Sequence, residues 1–200
     1  MAHAAVAAAC VYLVRHGETT WSASGQHTGR TDIALTERGD AQSRALRPML
    51  AEVSFDRVFV SPATRALATC NLAGLGNRAE VEPDLAEWDY GSYEGRRSID
   101  IRVERPGWAV YRDGCPDGET PPQVVLRADR LIARLRQLGG TVALFSHGQI
   151  SSSLAVRWIG LQIIEGQHFV LGTASVGILG FNPSHAEVPV IRAWNLGPSQ

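Results

Sequence analysis

Lysine is absent from this chain: all 19 basic residues are arginine. That excludes chemistry needing a Schiff-base amine or a phosphate-clamping lysine. Net charge is also lacking, at −1, so there is no basic surface suited to nucleic acid and no polybasic patch for a membrane. No apolar run reaches the ~20 residues of a membrane span. Cysteine is scarce. Cys10, Cys70 and Cys115 are odd in number and lack metal-ligand spacing, which predicts reduced thiols, a cytoplasmic protein and no metal or cofactor. The apolar start, Ala4 to Cys10, has no basic n-region and runs straight into a strand pattern, so export is not expected.

What is present is enough apolar residue, 44% of 200, for one sizeable core, which predicts a single domain over residues 1–200. Cys10 to Val14 reads as a buried parallel strand that opens into a loop at Arg15-His16-Gly17. A helix is expected from about Thr36 to Ala51, and a second strand at Arg57 to Val60. Ser61-Pro62 reads as an N-cap followed by proline at the first helical position, with that helix ending near Gly74. Residues 83–122 lack periodicity and read as a lid or pocket segment. Val124 to Leu138 is amphipathic and stops at Gly139-Gly140. Thr141 to Phe145 is a third buried strand, ending at Ser146-His147-Gly148 and followed by a helix. Ser175 to Phe181 and Val188 to Ala193 complete the sheet.

Three strands therefore end in Arg15-His16, in Ser61 leading to Arg65, and in His147. Ligands of an open parallel α/β sheet bind at the carboxyl ends of its strands, so the pattern gathers two histidines and two arginines at one edge. Arginine forks match phosphate oxygens. A neutral imidazole attacks phosphorus, and a second, protonated histidine would add charge to the developing oxygens. Glu87, shielded from water by Trp88 and Tyr90, is the candidate acid for the departing alkoxide. Each feature also has an ordinary reading: a strand cap for Arg15-His16-Gly17, a satisfied histidine at His147, and solvated side chains at Arg65 and Glu87. Their order along the chain is what carries the case.

That order resembles the histidine phosphatase superfamily, also called phosphoglycerate mutase-like. The matching segments are Arg15 to Thr19, Thr28-Gly29, Asp32 to Gly39, Ser61 to Ala66, Glu87 to Gly91, Gly118 to Thr120, and Ser146 to Gly148. The resemblance implies a three-layer α/β/α sandwich with a mostly parallel central sheet. It implies His16 as nucleophile, Arg15, Arg65 and His147 around the phosphate, and Glu87 as proton donor. Thr28, Gly29 and Tyr90 match positions near the substrate, and His27 on the same loop is a further contact. Ser22 departs from the pattern. Many members carry a phosphate-binding asparagine there, and the shorter serine predicts a lost or water-mediated contact.

The resemblance implies hydrolysis of small phosphorylated metabolites, sugar phosphates or bisphosphates among them. One alternative is a cofactor-dependent phosphoglycerate mutase, which needs extra fixed cations including a lysine. Arg96-Arg97 does not match that arrangement. A second alternative is a non-catalytic phosphate-binding module, opposed by the presence of both His16 and Glu87. Within the phosphatases, the segments Trp21 to Gly29 and Trp108 to Cys115 look like the sedoheptulose-1,7-bisphosphatase branch and equally like small actinobacterial acid phosphatases. Arg97, Arg102 and Arg112 are candidates for a second phosphate, or else solvated lid residues. Neither nucleic acid nor membrane is expected as a partner, and a homodimer stays open.

Overall fold

The computed structural model describes residues 9–197; the apolar start discussed above lies outside them, apart from Ala9 and Cys10. Among the described residues the elements run β1 (Cys10–Arg15), α1 (Thr20–Ser24), α2 (Glu37–Ala45), α3 (Arg47–Ala51), β2 (Arg57–Val60), α4 (Thr64–Leu72) and β3 (Ala79–Val81). They continue as α5 (Ser98–Glu104), α6 (Val110–Asp113), α7 (Pro121–Leu138), β4 (Thr141–Ser146), α8 (Gly148–Trp158), β5 (Val176–Phe181) and β6 (Pro189–Leu196).

The strands form one six-stranded sheet in the order β3-β2-β4-β1-β5-β6. β3, β2, β4 and β1 are mutually parallel, and β5 runs antiparallel between β1 and β6. Alternate side chains of a strand face opposite sides, and both sides of this sheet are covered. Val11, Leu13, Val142 and Leu144 pack with α7, α8 and the aromatics of the 83–122 segment. Val14, Ala143 and Phe145 pack with Leu46, Leu50, Ala66 and Cys70 from α2–α4 and their junctions. The result is the expected three-layer α/β/α sandwich with a mostly parallel sheet.

Local chemistry sets the boundaries. Thr36 caps α2 by accepting from the Gly39 N–H. The single helix expected to Ala51 is instead two, parted at Leu46, because Pro48 near the start of α3 has no N–H and its ring crowds the carbonyl four residues back. Thr120 and Gln123 form a capping box on α7, and Gly139 ends that helix at φ 61°, a left-handed value that suits glycine. Ser61 is not the N-cap of α4. That place belongs to Ala63, because the Ser61 hydroxyl is bonded to His147 instead. β3 was not anticipated, being a short, largely exposed edge strand without alternation. The 83–122 segment contains α5, α6 and two 3-10 turns, and it buries Trp88, Tyr90 and Trp108 against the core.

Candidate active site

β1, β2 and β4 share one direction, so the residues just past their carboxyl ends meet. The His16 N–H donates to the Ser146 carbonyl at 2.9 Å, and the Ser61 N–H donates to the Phe145 carbonyl at 2.9 Å. His16 and His147 thereby lie with ring centroids 5.2 Å apart.

His16 Nδ1 is 2.7 Å from the Gly17 carbonyl oxygen, which can only accept. The proton therefore sits on Nδ1, and the lone pair on Nε2, which bonds to no described residue. Burial holds this imidazole well below its ordinary pKa, and the Arg15 and Arg65 charges add to the effect against the opposing Gly17 bond. His16 is thus neutral. His147 is held neutral in the same way, by burial first and then by Arg65, His16 and Arg15. The protonated second histidine expected from the sequence is not found in this arrangement. His147 Nδ1 accepts from Arg65 Nε at 3.2 Å, so its proton is on Nε2, which faces the Ser61 hydroxyl at 2.7 Å.

Arg65 is 1% exposed and donates from all three of its guanidinium nitrogens. Besides His147, it donates from Nη1 to the Thr31 carbonyl and from Nη2 to the carbonyls of Thr28 and Gly29. It ties the 28–31 loop to α4 and to His147. Arg15 is less engaged. Nη1 donates to the Leu171 carbonyl, whereas Nε is buried without a hydrogen-bond partner. A buried, unsatisfied guanidinium N–H is costly unless an acceptor comes to it.

Glu87 is 8% exposed. Its Oε1 accepts from the N–H groups of Trp88 and Ile150, and its Oε2 from that of Gln149. Of the two aromatic flanks, Trp88 is in the core and Tyr90 lines the same cavity as Glu87, while the carboxyl itself faces the N–H groups of the first turn of α8. A second layer holds this segment. Arg127 donates to the Asp84 and Ala86 carbonyls and pairs both ways with Glu119. Glu119 in turn accepts from the Asp89 N–H.

A cavity of about 240 Å³ is lined by Arg15, His16, Ser22, Gly25, Gln26, His27, Thr28, Glu87, Tyr90, Ser98 and Gln149. It brings together most of the residues singled out in the sequence. His147 and Arg65 stand behind His16 rather than in its wall, and Gly29 lines a neighbouring cavity of about 400 Å³ on the other side of Glu87. No described histidine lines that larger space, so the smaller one is the candidate site. The Ser22 hydroxyl is spent on the backbone of Thr19, accepting from its N–H and donating to its carbonyl. His27 stacks on Tyr90 with centroids 4.5 Å apart, and its Nε2 is 3.1 Å from Ser98 Oγ. Burial, then the Arg102 charge, lower its pKa to about 4. Sequence reasoning missed the bonding role of Ser61 and the wall residues Gln26, Ser98 and Gln149, none of which carries a signature of its own. No group of three or more metal-ligating side chains is found among the described residues, and none of their helices is long and apolar enough to cross a membrane.

Fold and site together define an α/β phosphatase of the histidine type. Residues 11–196 match the family model of the histidine phosphatase superfamily (branch 1), and the chain belongs to that superfamily. An acid phosphatase of Mycobacterium tuberculosis is 44% identical over 90% of each chain. Sedoheptulose 1,7-bisphosphatase of Saccharomyces cerevisiae is 36% identical, across 76% of this chain and 68% of that one. A solved structure from Mycobacterium tuberculosis, at 41% identity, superposes with a TM-score of 0.89 over 95% of this chain and 98% of its own.

Proposed function

We propose that this chain hydrolyses phosphomonoesters of small cytoplasmic metabolites, sugar phosphates among them, through a phosphohistidine on His16. The observation that carries this reading is the free Nε2 of a neutral His16 beside the buried, unpartnered Nε of Arg15. One is a nucleophile and the other a donor for a phosphoryl oxygen.

In the first step Nε2 forms a bond to phosphorus while the ester P–O bond breaks, and Glu87 gives a proton to the leaving alkoxide. In the second, Glu87 takes a proton from water as the water oxygen attacks phosphorus and the P–N bond breaks. Oε2 of Glu87, with one amide donor against two on Oε1, is the oxygen with room for that proton. Arg15 steadies the phosphoryl charge. Arg65 and His147 complete the far side, His147 through the Nε2 proton that now faces Ser61. Gly17 and the Thr28–Gly29 loop keep both histidines and Arg65 in register. The activities named for the two relatives, an acid phosphatase and a sugar bisphosphatase, support hydrolysis over mutation, as does the absence of lysine.

Acid-free quenching of the enzyme with a radiolabelled phosphomonoester should trap acid-labile label on the wild-type protein and none on His16→Ala. Turnover of that variant should fall by about a thousandfold or more. Label retained in the variant would remove His16 from the nucleophile's place.

A further inference from the structure

We propose that the site selects a single phosphoryl group on an uncharged, hydroxyl-bearing body, and that a second phosphate is disfavoured because the surrounding arginines are already compensated. The inference rests on the hydrolase reading above and narrows its substrate class.

The cavity beside His16 holds about 240 Å³, room for a phosphoryl group and a small carbon skeleton. Among the described residues Arg15 is the one permanent cation that lines it. Away from Arg15, His16 and Glu87 the wall is neutral and polar: Gln26, His27, Thr28, Ser98 and Gln149. Hydroxyls, amides and a neutral imidazole both donate and accept, which suits a polyol and offers no fixed charge to a dianion. His27 stays neutral well below physiological pH, at about 4, and lies flat on Tyr90.

Three arginines of the 83–122 segment, Arg96, Arg97 and Arg112, are each tied up by a carboxylate. Arg96 pairs with both carboxylate oxygens of Glu104, at 3.0 and 2.6 Å. Arg97 pairs with both of Asp100, at 2.7 and 2.9 Å. Arg112 does the same with Asp113, at 3.0 and 2.7 Å. Exposed pairs like these are individually weak, so the bonds themselves are no barrier to an incoming phosphate. What matters is the field: Arg96 and Arg97 each carry their own carboxylate and Arg112 shares Asp113 with Arg105, so most of the positive charge that an incoming dianion would meet is already offset. Among the described residues Arg102 has no carboxylate partner within salt-bridge distance, but its Nε is turned to the Trp108 carbonyl at 2.9 Å. One partly engaged arginine is a poor match for a dianion, which at the reacting end meets Arg15 directly.

The test uses the full chain and four esters: p-nitrophenyl phosphate, glucose 1-phosphate, glucose 6-phosphate and glucose 1,6-bisphosphate. The better glucose monophosphate should exceed the bisphosphate in kcat/KM by about tenfold. A bisphosphate used as well or better overturns the inference and leaves the hydrolase reading intact. Cleavage of the nitrophenyl ester alone overturns the hydroxyl-bearing body. No cleavage of any ester removes the hydrolase reading and the inference with it. Ser98→Arg puts a cation on the wall from a half-buried helical position, and the ratio of bisphosphate to monophosphate kcat/KM should rise about tenfold. If that variant does not fold, Gln26→Arg places the charge from the facing loop. An unchanged ratio in a folded variant overturns wall charge as the selecting feature.

Discussion

His16, His27 and His147 are all held below their ordinary pKa, chiefly by burial, and this has a consequence for stability. The unfolded chain titrates its histidines near 6.5, so below that pH it binds protons that the folded chain does not. Stability is therefore complete above about pH 6.5 and declines as pH falls toward the folded values. For His27, with a value of about 4, the loss between pH 7 and pH 5 is about 2 kcal/mol. His27→Phe keeps a ring against Tyr90 and removes the titration. Its urea midpoint should accordingly drop less than the wild type's between those two pH values. Equal drops would show that His27 does not carry this share. Glu87 illustrates what a residue's neighbours in sequence cannot tell. Trp88 and Tyr90 pointed to an aromatic surround; Tyr90 does share the cavity wall, but the carboxyl is held by backbone amides of α8, a helix more than sixty positions further along.

Among the elements, the loop carrying Thr28 and Gly29 joins most of the site. Its carbonyls accept from Arg65, and its Gly29 N–H donates to Glu94 at 2.6 Å. A Cβ on Gly29 would stand 2.4 Å from the Trp88 carbonyl oxygen, which is backbone and cannot swing away. Gly29→Ala should therefore cost about 1–3 kcal/mol, lower Tm, and reduce turnover by displacing the carbonyls that hold Arg65. A variant with wild-type Tm and turnover would mean that the loop yields without consequence. The short helix α8 has His147 at its N-cap position with no side-chain cap bond of its own. Glu87 supplies the missing acceptors from another part of the chain, so the proposed proton donor and the helix start are positioned by the same contact.

At the scale of the whole molecule, every permanently charged basic side chain is an arginine, so the proposed phosphate site should depend on arginine and not on an amine. Phenylglyoxal should abolish hydrolysis, inorganic phosphate should slow that loss, and an amine-selective acetylating reagent should leave activity near its starting level. Sensitivity to the amine reagent would place an amino group, of which the chain has no lysine example, in the working site. Much of this molecule was legible without its structure. Val11, Leu13, Val142 and Leu144 alternate with the residues facing the other layer, and their apolar runs end in Arg15-His16 and Ser146-His147, so strands, layers and the reacting edge follow from local pattern and short-range sterics. Three features were settled by contacts distant in sequence, which no local pattern encodes. Ser61 became a partner of His147 instead of a helix cap. Arg65 was turned wholly inward onto three carbonyls and a ring nitrogen. The wall of the cavity was assembled from α5, α8 and the 26–28 loop. Strand placement comes from the periodic burial of side chains close together in the chain, whereas protonation states and cavity walls depend on which remote donors and acceptors the packed layers bring within hydrogen-bonding distance.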